Sequence, residues 1–207
     1  MMPRALFLDR DGTLNEMVYD EDHGVLDSPR RPEQVRLMPG AAAFIHSGRA
    51  LGYAIVIVTN QPGIAKATMT LAQLDAVNLQ LAKLLRAEGA AWDALYFCPH
   101  HPQGGPVPNP YVMPCDCRKP KPGMLLRAAR EREIDLARSW MIGDGLNDIQ
   151  AGRAAGCKTM LVANVKIEHI QALASKEQAY QDAYCANLFE AADYLRQQQQ
   201  NETHAPR

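Results

Sequence analysis

An apolar run at residues 5–8 stops at two acids, Asp9 and Asp11, with Arg10 between them and Gly12 directly behind. Such a run reads as a short buried strand that delivers polar groups at its carboxyl end. In open α/β sheets that is the end where ligands bind. Two acids at alternate positions repel each other, which costs stability unless a cation or a reaction needs them. Magnesium prefers carboxylate and carbonyl oxygens and would neutralise both. Taken alone, the same pattern also suits two turn or cap residues. The rest of the chain separates the readings.

The segment 16–37 is polar and irregular, with Asp20, Glu21, Asp22, His23, Pro29 and Pro32. It reads as a loop over the mouth of the sheet, carrying a short hairpin, and its length suits substrate contact. Pro39 and Gly40 open a helix over 41–51, and Gly52 closes it. The continuous, largely β-branched run at 53–58 predicts a central strand buried on both faces, as parallel strands are. It ends in Thr59-Asn60-Gln61-Pro62-Gly63. A hydroxyl and free backbone N–H groups in such a turn suit an anionic oxygen. Thr70 and Gln73 match a capping box, and Leu74, Val77, Leu81, Leu84 and Leu85 recur at helical spacing to about residue 88. A short strand is expected at 94–97.

Residues 98–122 carry eight prolines and little apolar periodicity. A structureless loop of this length in a compact domain needs something to pin it. Cys98-Pro99-His100 and Cys115-Asp116-Cys117 could do so, because three thiolates and an imidazole form a closed tetrahedral zinc set. His101 is an alternative to His100, which is favoured because each pair then has one intervening residue. Four protein ligands leave no open position, so the zinc would be structural. The basic run Arg118-Lys119-Pro120-Lys121 follows at once, and a positioned Lys or Arg is what a phosphate site needs.

A helix is expected over 123–133, then a strand at 140–142 that ends in Gly143-Asp144, with Asp148 in the first turn of the next helix. A further strand covers 157–162, and helical segments cover 167–180 and 188–197. Residues 1–197 read as one domain with the zinc loop 98–117 inserted, and 198–207 as a frayed polar tail. Cys157 and Cys185 read as inert thiols. A formal net charge of −1 implies no general attraction to nucleic acid or an anionic membrane, and no apolar run is long enough to span one. With Asp9 interrupting any secretory apolar region, the expected compartment is the cytosol.

Strands alternate with helices, so the sheet should be mostly parallel, and Asp9/Asp11, Thr59/Asn60, Arg118/Lys119 and Asp144/Asp148 share one edge. Acids, a hydroxyl and cations gathered there make a magnesium-phosphate site. Asp9-Arg10-Asp11-Gly12-Thr13, Thr59-Asn60-Gln61, Lys119, and Gly143-Asp144 with Asp148 resemble the four ordered motifs of the haloacid dehalogenase superfamily of phosphatases. The zinc loop is similar to that of its histidinol-phosphatase/heptose-bisphosphate phosphatase branch. The resemblance covers roughly residues 5–162.

The resemblance implies a Rossmann-like three-layer α/β sandwich without a large cap domain, and a monomeric magnesium-dependent phosphatase acting on a small phosphorylated sugar. It makes Asp9 the nucleophile and Asp11 the general acid and then base. It assigns magnesium to Asp9, the Asp11 backbone carbonyl and Asp144, with Asp148 as support. Thr59, Asn60, Gln61 and Lys119 would meet the phosphoryl group, and Arg118 the rest of the substrate. Two departures concern substrate contacts. Asp22-His23-Gly24 comes later than in the branch and is followed by Val25-Leu26, and Gly145 stands where the branch often has Lys. Histidinol phosphate is the rival substrate. A nucleic-acid 3′-phosphatase is disfavoured by the lack of a basic aromatic stripe. A zinc-stapled module without catalysis would tolerate loss of Asp9, Asp11, Lys119 or Asp144, and all four are present.

Overall fold

The structure, a computed structural model, describes residues 2–21, 24–163, 175–176 and 180–204. Six strands form one parallel sheet. In chain order its members are β1 (Arg4–Leu8), β4 (Tyr53–Asn60), β5 (Ala94–Cys98), β6 (Trp140–Gly143), β7 (Lys158–Val162) and β8 (Ala183–Cys185), and in space they run β5-β4-β1-β6-β7-β8. The other two strands, β2 (Val18–Asp20) and β3 (Val25–Asp27), pair antiparallel as a separate hairpin.

Side-chain alternation builds a core on each face of the sheet. Leu6, Leu8, Ile55 and Ile57 point to one side, against α1 (Ala41–Ala50), α2 (Leu71–Ala87) and α5 (Leu188–His204). Phe7, Val56 and Val58 point to the other, against α3 (Gly123–Arg132) and α4 (Leu146–Ala155). This period of two, with both faces covered, is what a buried parallel strand requires. The result is three layers. The chain winds outward from β1 through β4 to β5, then crosses back so that β6 joins the opposite side of β1. The crevice at such a reversal, outside the carboxyl ends of the strands, is where open α/β sheets bind ligands.

Local sequence sets the element ends. The Thr70 hydroxyl accepts from the Gln73 backbone N–H at 3.2 Å, while Gln73 Oε1 accepts from the Thr70 N–H at 2.8 Å, which fixes the start of α2. Gly156, at φ +86, ends α4 in the left-handed conformation. Among its described residues, the segment 16–37 contains the expected hairpin and a 3₁₀ turn at Pro32–Gln34.

Three differences from the sequence reading stand out. Residues 198–204 of the expected frayed tail are instead helix, since α5 continues through the glutamine-rich stretch to His204, and Gln199 is tied back by the Arg4 guanidinium at 2.5 Å. Glutamine is a good helix former even without an apolar stripe. Strand β8 was not expected, because three residues bounded by polar segments give no periodicity to read. The helix expected over 167–180 lies largely outside the described residues, as do Asp22 and His23. Among the described residues no helix is long and apolar enough to cross a membrane.

Helix α4 carries an acid of the site and packs tightly on the sheet. A Cβ at Gly152 would lie 2.5 Å from Met141 Cβ and 2.7 Å from Thr159 Cγ2. Gly152→Val should therefore push α4 off β6 and β7. The expected loss is about 1–3 kcal/mol by urea unfolding, from overpacking. Unchanged stability would show that the helix has room to shift.

Candidate active site

Asp9 sits at the carboxyl end of β1, where its backbone N–H still donates to the Ile142 carbonyl of β6 at 2.9 Å. Asp144 follows the end of β6, and Asp148 lies in the first turn of α4, where Oδ2 accepts the Gly145 N–H at 3.1 Å. Asp9, Asp144 and Asp148 each offer an oxygen within 4.8 Å of the others. Three acids this close repel unless cations intervene. One cation is built in. Lys119 Nζ lies 2.8 Å from Asp9 Oδ1 and 2.5 Å from Asp148 Oδ1, and donates to the Val58 carbonyl at 2.8 Å.

The electrostatics follow from that geometry. Burial pushes the Asp9 carboxyl up to about 7; Lys119 pulls it down, and Asp148 and Asp11 push it up. Asp144 reaches solvent at the mouth, yet the surrounding protein and then Asp9 raise it to about 6. Asp148 is raised by burial, against the pull of Lys119. Burial alone would lower Lys119, but Asp148 and Asp9 outweigh it and hold the ammonium well above its ordinary value. With only one cation among three acids, the cluster retains an affinity for positive charge. Its donors are all hard oxygens, the kind that magnesium takes.

Gly12 makes the approach of Asp144 possible. Its φ is +85, and a Cβ there would lie 2.2 Å from Asp144 Oδ2. The Thr13 hydroxyl donates to Asp144 Oδ1 at 3.3 Å.

Asp11 stands apart from the three-acid cluster. Its Oδ1 accepts from Arg10 Nε at 3.0 Å and Asn15 Nδ2 at 3.0 Å. Its Oδ2 accepts from Arg10 Nη2 at 2.9 Å and Gln61 Nε2 at 2.7 Å. Burial alone would raise its carboxyl; the Arg10 charge and these hydrogen bonds bring it below its ordinary value. The buried Gln61 amide also donates to Thr59 Oγ1 at 2.9 Å. The Asn60 side chain is spent on the backbone of Lys119, accepting its N–H and donating to its carbonyl, each at 3.0 Å. Thr59 is buried at the end of β4, and its hydroxyl hydrogen remains available.

The 98–117 loop leaves the carboxyl end of β5 and gathers Cys98, His100, Cys115 and Cys117, with ligand atoms within 4.8 Å of one another. Sulfur separations are 3.6 Å (98 to 115), 3.1 Å (98 to 117) and 3.4 Å (115 to 117), and His100 Nδ1 is 3.2 Å from Cys117 Sγ. Disulfides need about 2.05 Å. A tetrahedral zinc with bonds of about 2.3 Å to sulfur sets its ligands roughly 3.8 Å apart, so the set is compatible with zinc. His101 lies outside it, its Nδ1 accepting the Gln103 N–H at 3.0 Å. The Gly123 N–H donates to the Asp116 carbonyl at 3.0 Å, so the segment carrying Arg118 and Lys119 is closed into a tight turn between cluster and helix.

With this arrangement in view, comparison with known proteins is decisive. A HAD-hydrolase-like family profile matches residues 116–191. The chain is 40% identical over 166 residues to D-glycero-beta-D-manno-heptose-1,7-bisphosphate 7-phosphatase of Pasteurella multocida, covering 80% of this chain and 84% of that one. It is 39% identical to the protein of that name from Escherichia coli K12, covering 76% and 78%. The crystal structure of D,D-heptose 1,7-bisphosphate phosphatase from B. bronchiseptica, complexed with magnesium and phosphate, superposes with a TM-score of 0.76 at 31% identity, covering 95% of this chain and 99% of that one. The chain belongs to the haloacid dehalogenase-like hydrolases.

Within this HAD-like hydrolase, the sequence pointed to most of the residues that converge, but not to the wiring beneath them. Arg10 is fully buried and its Nη1 donates to Asn78 Oδ1 on α2 at 2.7 Å, a contact that no motif announces. The cavity of about 480 Å³ beside the β2–β3 hairpin is lined by Val18, Tyr19, Asp27, Arg30, Arg31 and Gln34, and Asp9, Asp11, Asp144 and Asp148 are not among its lining residues. Lys119→Met should leave Asp9 and Asp148 without their cation. Breaking a buried pair by removing one partner costs about 3–5 kcal/mol. Urea unfolding in magnesium-free buffer reads this directly. A loss under about 1 kcal/mol, the scale of a surface pair, would contradict the role given to Lys119.

Proposed function

We propose that this enzyme is a magnesium-dependent phosphatase that removes the 7-phosphate of D-glycero-D-manno-heptose 1,7-bisphosphate through an aspartyl-phosphate on Asp9. The observation that carries the reading is the pair Asp9–Lys119 at 2.8 Å inside a three-acid cluster at the switch point of the sheet. Lys119 keeps Asp9 oriented, and its ammonium can meet a phosphoryl oxygen entering beside it. The names of the relatives supply the substrate.

The first step would join an Asp9 oxygen to phosphorus and break the bond to the sugar oxygen, which takes a proton from Asp11. Asp11 would then draw a proton from the water that attacks the phosphorus of the acyl phosphate, freeing Asp9 and inorganic phosphate. Thr59 Oγ1 already accepts from Gln61, so its own hydrogen can turn to a phosphoryl oxygen, and the backbone N–H groups after β4 add donors. Magnesium, held by Asp9, Asp144 and the Asp11 backbone carbonyl with Asp148 steadying the set, would screen the nucleophile from the anionic phosphate. Arg118 Nη1 is buried with no hydrogen-bond partner, an open donor suited to the second phosphate of the substrate. Zinc on Cys98, His100, Cys115 and Cys117 would hold the loop that presents Arg118 and Lys119. A thiolate zinc set suits a reducing compartment, and we place the enzyme in the cytosol.

The reading is tested by magnesium-dependent phosphate release from the heptose bisphosphate and from histidinol phosphate. The expected result is a kcat/KM at least a hundredfold higher for the bisphosphate, abolished in Asp9→Asn. Preference for histidinol phosphate would overturn the sugar assignment and leave the chemistry standing. The zinc assignment predicts one equivalent by elemental analysis, lost in Cys115→Ser together with most of the activity. Equal metal content in parent and variant would refute it.

A further inference from the structure

The acid that must serve the leaving group is fully occupied in this structure. A carboxylate offers about four lone-pair sites. Those of Asp11 are taken by four donors, from Arg10 (two), Asn15 and Gln61. An oxygen with both sites engaged can neither carry a proton nor meet the departing sugar oxygen. At least one donor must leave before Asp11 acts.

The four donors are not equally free. Arg10 is wholly buried, forms a two-pronged pair with Asp11, and is anchored from behind by Asn78 at 2.7 Å. A guanidinium fixed at three of its hydrogen bonds is a rigid platform. Asn15 is also fully buried, and its backbone bridges to Leu37. Gln61, at the turn after β4, is buried as well, and it has a second acceptor in Thr59 Oγ1, as Asn15 Nδ2 has in the Glu16 carbonyl at 3.0 Å. Either amide keeps an acceptor on leaving Asp11, so one of these two is the donor placed to yield.

We propose that Arg10, braced by Asn78 of α2, is the positioning residue for the general acid. It holds Asp11 by one prong on each oxygen, so that release of one amide, Asn15 from Oδ1 or Gln61 from Oδ2, opens a single site for the proton. That site takes up a proton from solvent, and Asp11 then passes it to the leaving oxygen as the phosphorus–oxygen bond breaks and the electron pair goes to that oxygen. Among the described hydrogen bonds, Asn78 meets Arg10 and neither Asp9 nor the other two clustered acids. The proposal rests on the phosphatase reading above.

The test compares two leaving groups. An alkyl phosphate such as the heptose bisphosphate needs a proton on departure, whereas p-nitrophenolate leaves without one. kcat/KM reports the steps up to formation of the acyl phosphate, so only the acid role of Asp11 enters it. General acid catalysis is worth about 10²–10⁴-fold. Asn78→Ala should lower the alkyl-to-aryl ratio of kcat/KM about tenfold, and Arg10→Lys, which keeps the charge but loses the fork, about a hundredfold. Asn78→Gln, which keeps an acceptor, should recover part of the loss. Should Arg10→Lys fail to fold, Asn78→Ala carries the test alone. A ratio unchanged in Asn78→Ala, with both substrates falling together or not at all, overturns the positioning role. If the parent enzyme releases phosphate from neither substrate, the phosphatase reading itself falls and the clasp falls with it as a catalytic device.

Discussion

One ammonium group holds the mouth of the sheet together. Lys119 Nζ is almost wholly buried among Asp9, Asp148 and the Val58 carbonyl, so it joins β1, β4 and α4 at the point where their ends diverge. Without it, Asp9 at the end of β1 and the buried Asp148 of α4 would face each other with little water between them to screen the repulsion. With it, two of the acids are steadied, and Asp144 remains open to the mouth beside a raised Asp9. A site balanced in this way attracts a divalent cation and an anionic substrate together.

That ammonium is itself held by two independent devices. Its backbone is pinned to β4 through both atoms of the Asn60 amide, and its chain neighbours are closed between the Cys/His cluster and α3. The long proline-rich loop buries little apolar surface beyond Tyr111, which packs on the Ile64–Met69–Leu74 cluster, and Asn109 donates to the Ile64 carbonyl at 2.6 Å. Cys98 ends β5, the edge strand beside β4, which explains why the cluster forms at the same rim of the sheet as the acids.

The sequence made the scaffold legible where physics is periodic. The run at 53–58 reads as a doubly covered strand, which the fold extends through Asn60, and the capping box at Thr70 marks the start of α2. It was silent where a side chain's direction decides its job. Gln61 follows two residues of a phosphate-facing motif, yet its amide turns into the core to hold Asp11 and Thr59. Arg10 reads as one more charge between two acids, but the fold buries it completely and gives it a partner 68 residues away. Such contacts depend on tertiary placement, and no spacing rule encodes them. The helix through the glutamine-rich end escaped for a different reason. Its support is propensity and a tie to Arg4, not an apolar stripe.

The central claim is that the carboxylate braced by Lys119 becomes covalently phosphorylated. Acid quenching of the enzyme during turnover of an alkyl phosphate, followed by peptide mass spectrometry, tests it most directly. The account predicts a phosphoryl group on the peptide spanning residues 5–15, localised to Asp9 and absent when the metal is chelated. Steady turnover with that peptide unmodified, or with the phosphoryl group on another residue, would contradict it.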